Sequence, residues 1–371
     1  MEQSVFNSLN TWVLVLGFAL SFVFGAIAQT THFCTMGAIS DVINIGDWSR
    51  ARQWILAMAT AMIGFAALSL LGLIRPSDAL YITPRWSWLS TSVGGLMFGF
   101  GMVMASGCGN KTLIRVGTGN LKAWVVFVVM GLSAFATLRG ITAVLRNTTT
   151  DQVYLTMEPQ ATLSYGLASA LNLGAEQGPA WVGLALGLLL ALWVLRHADF
   201  RTSTNLWAGL GCGGVIVAMW WLTGHMGFVE EHPQTLEQVY VSTNSGRMES
   251  LSFVAPMAYV LDWLMFYSDK SKVLTLGVML AVGVIFGSWV SALFTRTFRW
   301  EGFGSVEDLG NHLLGALLMG VGGVTAMGCT IGQGLSGMST LSLNAFSALL
   351  FIVLGAVVAM KYQIWRLERQ A

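Results

Sequence analysis

The sequence predicts an all-α integral membrane protein with about nine transmembrane helices and broken or re-entrant helices among them. Three observations carry that prediction. Of 371 residues, 55% are hydrophobic and 10% charged, where a soluble domain carries about 25% charged residues. The apolar residues cluster in runs of roughly the 17–25 needed to cross a bilayer. One glycine-rich interruption of such a run occurs twice, each time around a Gly-Cys pair.

The runs are, in chain order, Trp12–Ala28, Trp54–Ile74, Leu89–Ser106, Leu121–Val144, Pro179–Leu195, Leu206–Leu222, Val273–Phe294, Leu313–Met327 and Leu343–Met360. Two shorter runs, Leu163–Leu173 and Leu251–Phe266, fit spans, half-helices and interfacial helices alike. The chain reads as a single transmembrane domain, 1–371: a first repeat half at 17–144, connecting spans with an acidic external loop at 145–272, and a second half at 273–362. A net charge of +1 offers no field for nucleic acid. Forty-three glycines suit close helix packing in lipid. Met1–Leu9 has neither a basic stretch nor a small-residue cleavage site, so no cleavable signal is expected. Four cysteines without a CxxC do not form the pattern of a secreted disulfide framework.

Basic residues orient the chain. Arg50 and Arg52 follow the first span, Arg196 and Arg201 the fifth, Arg296 and Arg299 the seventh, and Lys361, Arg366 and Arg369 lie in the tail. The loop Thr223–Ser250 carries Glu230, Glu231, Glu237 and Glu249 against Arg247 alone. The N-terminus and this loop are therefore expected outside and the C-terminus in the cytoplasm. Asp269, Lys270 and Lys272 fit that rule less well.

Gly94–Asn120 and Gly315–Thr340 are the repeated interruption, aligned without a gap through their cysteines by a shift of 221 (329 − 108). Gly99 meets Gly320, Gly101 meets Gly322, Ala105 meets Ala326, Gly107 meets Gly328 and Cys108 meets Cys329. Gly17–Met36 likewise resembles Val282–Trp300 through Phe24-Gly25 and Phe286-Gly287, with a three-residue gap before Phe33 and Phe298. In a bilayer the backbone leaves the helix only where protein or a wet cavity satisfies it. Paired interruptions therefore point to a transporter's central site.

The chemistry of the breaks favours a soft anion. A helix starting in mid-membrane presents free N–H groups and a positive dipole end, and glycine lets backbone approach a ligand. A thiol adds a polarisable weak donor. Cys34, Cys108 and Cys329 are the candidate pathway residues. Gly107, Gly109, Lys111, Gly328, Thr330, Gly332 and Gln333 are candidates for backbone and anion support. Arg139 and Arg299 are candidate charge contributors, with Arg139 equally readable as a snorkelling side chain. A thiolate would repel a dianion, so passage requires neutral thiols. Cys212, in GLGCGGV with no repeat partner, reads as core packing, and His32 as an interfacial residue.

THFCTMGAISD, GGLMFGFGMVMASGCG and GALLMGVGGVTAMGCTIGQG together resemble the YeeE/YedE sulfur-transport family, from about Gly17 to Tyr362. That resemblance implies an hourglass-shaped protein of the bacterial inner membrane, with pseudo-twofold inverted halves. It also implies thiosulfate uptake, in which Cys34, Cys108 and Cys329 pass the anion along by S–H···S contacts. A small cytoplasmic sulfur-carrier protein is an implied partner. The sequence departs from the family in two places. Gln29-Thr30-Thr31-His32-Phe33-Cys34 lacks the arginines usual before the first cysteine, and Asn110-Lys111 replaces small residues. Both departures bear on which small sulfur or selenium anion is carried.

Transport needs no conventional cofactor, and no GxxxxGK[ST] is present. Two other functions compete with it. A thiol relay enzyme would cycle Cys108 and Cys329 through a disulfide or persulfide. A Cu(I) conduit would use Cys and Met, yet no MxxxM or Cys/His cluster of suitable spacing occurs.

Overall fold

The computed structural model describes residues 3–174, 176–233, 235–269 and 271–370; Lys270 lies outside them. Apolar periodicity builds fourteen α-helices here. They are α1 (Gln3–Thr30), α2 (Thr35–Asn44), α3 (Ser49–Leu70), α4 (Trp88–Met104), α5 (Gly109–Gly117), α6 (Leu121–Arg139), α7 (Ile141–Thr148), α8 (Leu163–Ala170) and α9 (Gly178–Leu195). They continue as α10 (Ser203–Met226, with two π-helical stretches), α11 (Val254–Met265), α12 (Leu276–Phe294), α13 (Val306–Thr325) and α14 (Leu343–Gln370). A π-helical turn, Gly332–Gly337, stands between α13 and α14.

Among the described residues, eight helical stretches are long and apolar enough to cross a membrane. The ninth expected span is α13, which starts with Glu307 and Asp308 in its first turn and is capped by Ser305. The expected span Leu121–Val144 is shorter in the structure. Its helix stops at Arg139, and Gly140 leads into the separate α7. Of the two ambiguous runs, the first is the short α8 and the second is α11.

The centre of the bundle is α4 against α13, and its geometry follows from glycine. A Cβ at Gly94 would stand 2.5 Å from Ala326 N, and one at Gly315 2.6 Å from Ala105 N. A Cβ at Gly101 would meet Gly315 O at 2.6 Å, and one at Gly322 would meet Gly94 O at 2.6 Å. Each contact is the other's image under the shift of 221. The start of one helix faces the end of its mate, so the pair is antiparallel. Without a hydrophobic drive between helices in lipid, such backbone approach supplies the attraction. The same relation reaches outward: α4 packs on α14 through Gly99, and α13 on α6 through Gly320.

α1 and α12 behave differently. Their Phe-Gly pairs align in sequence as repeat mates, yet the helices lie side by side and run the same way. Gly17 faces Leu276, Gly25 faces Val284, and Gln29 Nε2 reaches Thr297 Oγ1 at 3.4 Å. A twofold that turns α4 onto an antiparallel α13 does not turn α1 onto a parallel neighbour. The two sequences resemble each other because each supplies the glycine the other packs on, Gly25 against Val284 and Gly287 against Phe22.

The start of α1 and the loops 71–87 and 227–253 share one end of the bundle, the N-terminal face. There Tyr240 donates to Asp78 at 2.7 Å, and Leu80 N donates to Met248 O at 2.9 Å. The opposite, C-terminal face gathers the ends of α5 and α12 and the start of α13. Arg299 N donates to Thr118 O at 3.1 Å, and Lys122 pairs with Asp308 at 2.7 Å.

Candidate functional site

All three candidate cysteines sit on one recurring device. A helix ends, a single residue turns left-handed, one residue follows, and the cysteine opens the next helix. The left-handed residues are His32 (φ 53°), Ser106 (φ 57°) and Met327 (φ 59°). Phe33 N donates to Ala28 O at 3.1 Å, Gly107 N to Met102 O at 2.8 Å and Gly328 N to Gly323 O at 2.8 Å. Each is the six-to-one bond of a Schellman cap, here closed around a non-glycine residue. Three such residues in αL cost about 1–2 kcal/mol apiece, so the surrounding packing holds them there.

Past each cap the cysteine leads the next helical stretch: Cys34 and Cys108 are N-caps, and Cys329 stands just before Ile331, the N-cap of the π-helical turn. Cys34 is the N-cap of α2 and accepts from Gly37 N–H at 3.4 Å. Cys329 accepts from Gly332 N–H at 3.4 Å, while its carbonyl accepts from Gln333 N at 2.8 Å. Cys108 is the extended N-cap of α5, with the Lys111 N–H beside its sulfur. Cys34 and Cys108 thus lie over the positive ends of α2 and α5, and Cys329 over the first N–H groups of the turn beyond α13. The start of α11 joins them: Ser336 Oγ donates to Leu251 O at 2.7 Å, and a Cβ at Gly332 would stand 2.7 Å from Ser252 Oγ.

The three sulfurs are neighbours in electrostatic terms. Cys108 lies within electrostatic reach of both Cys34 and Cys329, and the Thr330 hydroxyl stands beside it. Cys329 in turn acts on Tyr81, in the loop at the N-terminal face. Gly109 packs near Met130, halfway along α6, and near Met257 of α11. Cys108 and Cys329 are almost wholly buried, and Cys34 is half-buried. Cys212 is fully buried in α10.

The supporting residues divide. Gln333 Nε2 donates to Ala326 O at 2.7 Å and so ties the end of α13 to the turn beyond the break. Its Oε1, the Thr330 hydroxyl and Asn110 Oδ1 are buried without a conventional hydrogen-bond partner. Unsatisfied buried oxygens are few in native structures, and these three stand beside or within one turn of the two central cysteines. Lys111 is half-buried between Cys34 and Cys108, near Arg50 and Arg115. A Cβ at Gly107 or Gly328 would stand 3.1 Å from the side chains of Lys111 and Gln333 respectively, whereas Gly109 has only ordinary contacts.

Arg139 and Arg299 are not brought to the breaks. Arg139 is exposed at the end of α6 and lines a separate cavity with Asp262, Tyr259 and Lys272. Arg299 is exposed beyond α12 on the C-terminal face. Long side chains at helix ends reach the interface at little cost. Sequence reading missed Tyr81, Ser252 and Arg115, whose guanidinium donates to Ser106 O at 2.9 Å and holds the first break. The N-terminal end of α11, hidden in the ambiguous run 251–266, was the available signal. Among the described residues no three His, Cys, Asp or Glu side chains converge as a metal would need.

Comparison with known proteins is consistent with this arrangement. A family model described as sulphur transport matches residues 30–358. Thiosulfate transporter TsuA of Escherichia coli K12 is 26% identical, over 97% of this chain and 97% of its own. Thiosulfate transporter TsuA of Spirochaeta thermophila is 26% identical over 91% of this chain and 96% of its own. Probable transporter YedE of E. coli K12 is 30% identical over 33% of this chain and 31% of its own.

Proposed function

Because the chain belongs to the sulphur transport family, we propose that it carries thiosulfate, or a closely similar small sulfur anion, through its membrane along the line Cys329, Cys108, Cys34. The observation that supports this reading is that Cys108 lies within electrostatic reach of both Cys34 and Cys329, with each sulfur beside the N–H groups of a helical turn. Full-length similarity to two thiosulfate transporters supports the choice of anion.

In this reading the anion's negative charge is balanced by N–H groups and helix dipoles, with Lys111 adding a positive charge near Cys34 and Cys108. Neutral thiols donate weak S–H bonds to the terminal sulfur, and the anion moves from one to the next. Thr330 and Asn110 assist at the central break, and Lys111 draws the anion toward Cys34. No covalent bond forms, so the protein is a carrier and not an enzyme. The N-terminal face is external and the C-terminal face cytoplasmic, in keeping with the basic residues gathered at the latter. There a small sulfur-carrier protein would receive the product. The halves centred on the two breaks, 17–144 and 273–362, act as inverted repeats. The order of long, short and broken helices supports extending the second half back to Ser203, so that α10 answers α1 and α12 answers α3.

The test is labelled thiosulfate uptake into sealed vesicles as a function of pH, followed by mass spectrometry of the cysteines. Uptake falls as pH rises toward the ordinary thiol range, because a thiolate loses its donor and repels a dianion. Faster uptake at high pH, with persulfide on Cys108 or Cys329, would favour a relay enzyme and overturn this reading.

A further inference from the structure

On the N-terminal face a cavity of about 290 Å³ stands over the second break. Its floor includes Met327 and Gly328, the two residues before Cys329, and its wall includes Tyr81, Ser252, Tyr259 and Glu249. It therefore approaches Cys329 from the N-terminal face, where the transport reading puts the anion's entrance. Glu249 is its one carboxylate among the described lining residues. The carboxylate accepts from Ser245 N–H at 2.8 Å, and no Lys, Arg or His acts on it among the described residues.

A carboxylate with no cation partner at the mouth of an anion pathway opposes its traffic, since like charges at a partly buried site repel strongly. The neighbouring cations are turned elsewhere. Arg146, which also lines the cavity, pairs with Asp151 at 2.9 Å. Arg247 donates to the carbonyls of Ser77 and Ile82. Lys272 is bound to Asp262 at 2.7 Å, and Arg139 lines the second cavity with Asp262, reaching this one only through Tyr259, on which Glu249 also acts. From the loop 71–87 and α11 the facing titratable groups are Tyr81 and Tyr259, while α12 and α13 contribute only apolar side chains and glycine.

We propose that Glu249 is a protonation gate at this mouth: as a neutral acid it donates a hydrogen bond to the entering anion, and as a carboxylate it turns the anion away. The gate rests on the transport reading above. Burial pushes the Glu249 carboxyl above the usual carboxylate range, more than its bonds to the 244–245 backbone and Ser245 pull it down. The sign follows: the neutral form is populated below the raised pKa, and entry is lost as pH climbs through it. Thiosulfate is the anion of a strong acid and keeps its charge throughout this interval.

The test is initial uptake of labelled thiosulfate into vesicles with the N-terminal face outward, internal pH held constant and external pH varied from about 5.5 to about 7.5, below the ordinary thiol range. Wild-type uptake is expected to fall by roughly tenfold between the neutral and the ionised form of Glu249. Glu249→Gln keeps the size and the acceptor for Ser245, and is expected to flatten the profile while exceeding wild type at the upper end. Glu249→Asp keeps a titrating acid and is expected to keep the slope. A folded Glu249→Gln protein with the wild-type slope would overturn the gate, as would one inactive at every pH. Wild type inactive at every pH would overturn the transport reading and the gate with it.

Discussion

Cys34, Cys108 and Cys329 do the same structural job, and the expected consequences of changing them follow from that job. Alanine removes both the N-cap acceptor and the thiol donor. One lost weak donor is worth about 1–2 kcal/mol, so each Cys→Ala change should lower uptake by roughly tenfold while the protein still folds. Serine keeps a donor but is harder and binds water better. It should rescue the buried Cys108 and Cys329 poorly and the half-buried Cys34 better, as labelled uptake in vesicles would measure. Cys212→Ala should leave uptake within about twofold and cost about 1 kcal/mol of stability, because this thiol only fills space in α10. A well-folded Cys212→Ala protein without transport would show that a fourth thiol belongs to the pathway. Lys111→Gln should raise the half-saturating thiosulfate concentration by about threefold to tenfold with a smaller effect on maximal rate. An unchanged concentration dependence would remove Lys111 from the anion's path.

At the scale of elements, the antiparallel contact of α4 and α13 sets the distance between the two breaks. Gly101→Leu would press side-chain carbon onto Gly315 O and Met319 N, which a Cβ alone approaches to 2.6 and 2.9 Å. Backbone on both sides cannot yield, so the expected cost exceeds about 3 kcal/mol, read as lost thermal stability in detergent. Gly214→Ala is the control. A Cβ there meets nothing within 4 Å, and the substitution should be neutral or stabilise by up to about 1 kcal/mol. Equal damage from both substitutions would mean that glycine content, rather than the crossing, holds the bundle together. The repeat at Gly94–Asn120 and Gly315–Thr340 was legible in sequence because both copies need glycine at the same contacts. The third cysteine's kinship with them was hidden, because His32-Phe33 reaches the same backbone shape as Ser106-Gly107 and Met327-Gly328 without the glycine.

For the molecule as a whole, the three sulfurs make the two faces unequal. Cys34 lies toward the C-terminal face and is half-buried, while Cys329 is covered beneath the cavity of the N-terminal face. A membrane-impermeant thiol reagent applied to the C-terminal face should modify Cys34 well before Cys108 or Cys329, and saturating thiosulfate should slow that reaction. Mass spectrometry of vesicles of each orientation reads both effects. Modification of Cys34 only from the N-terminal face would reverse the order of the pathway.

By itself the sequence determined the membrane class, the approximate spans, two equivalent breaks and the three cysteines proposed for the pathway. Those properties are written in local terms: run length, charge depletion, and glycine followed by cysteine. Only the tertiary structure decided which elements meet. It put α1 beside a parallel α12 where the alignment had made them repeat mates, because reciprocal glycine packing and repeat descent leave the same mark on a sequence. It carried Arg139 and Arg299 away from the breaks, since a long charged side chain at a helix end goes to whichever surface its rotation offers. It brought Tyr81, Ser252 and Glu249, from two loops, to the cavity over Met327 and Gly328, next to Cys329. Their distance along the chain from that cysteine is closed only when α11 inserts its N-terminus between the broken helices, and no local pattern of residues encodes that insertion.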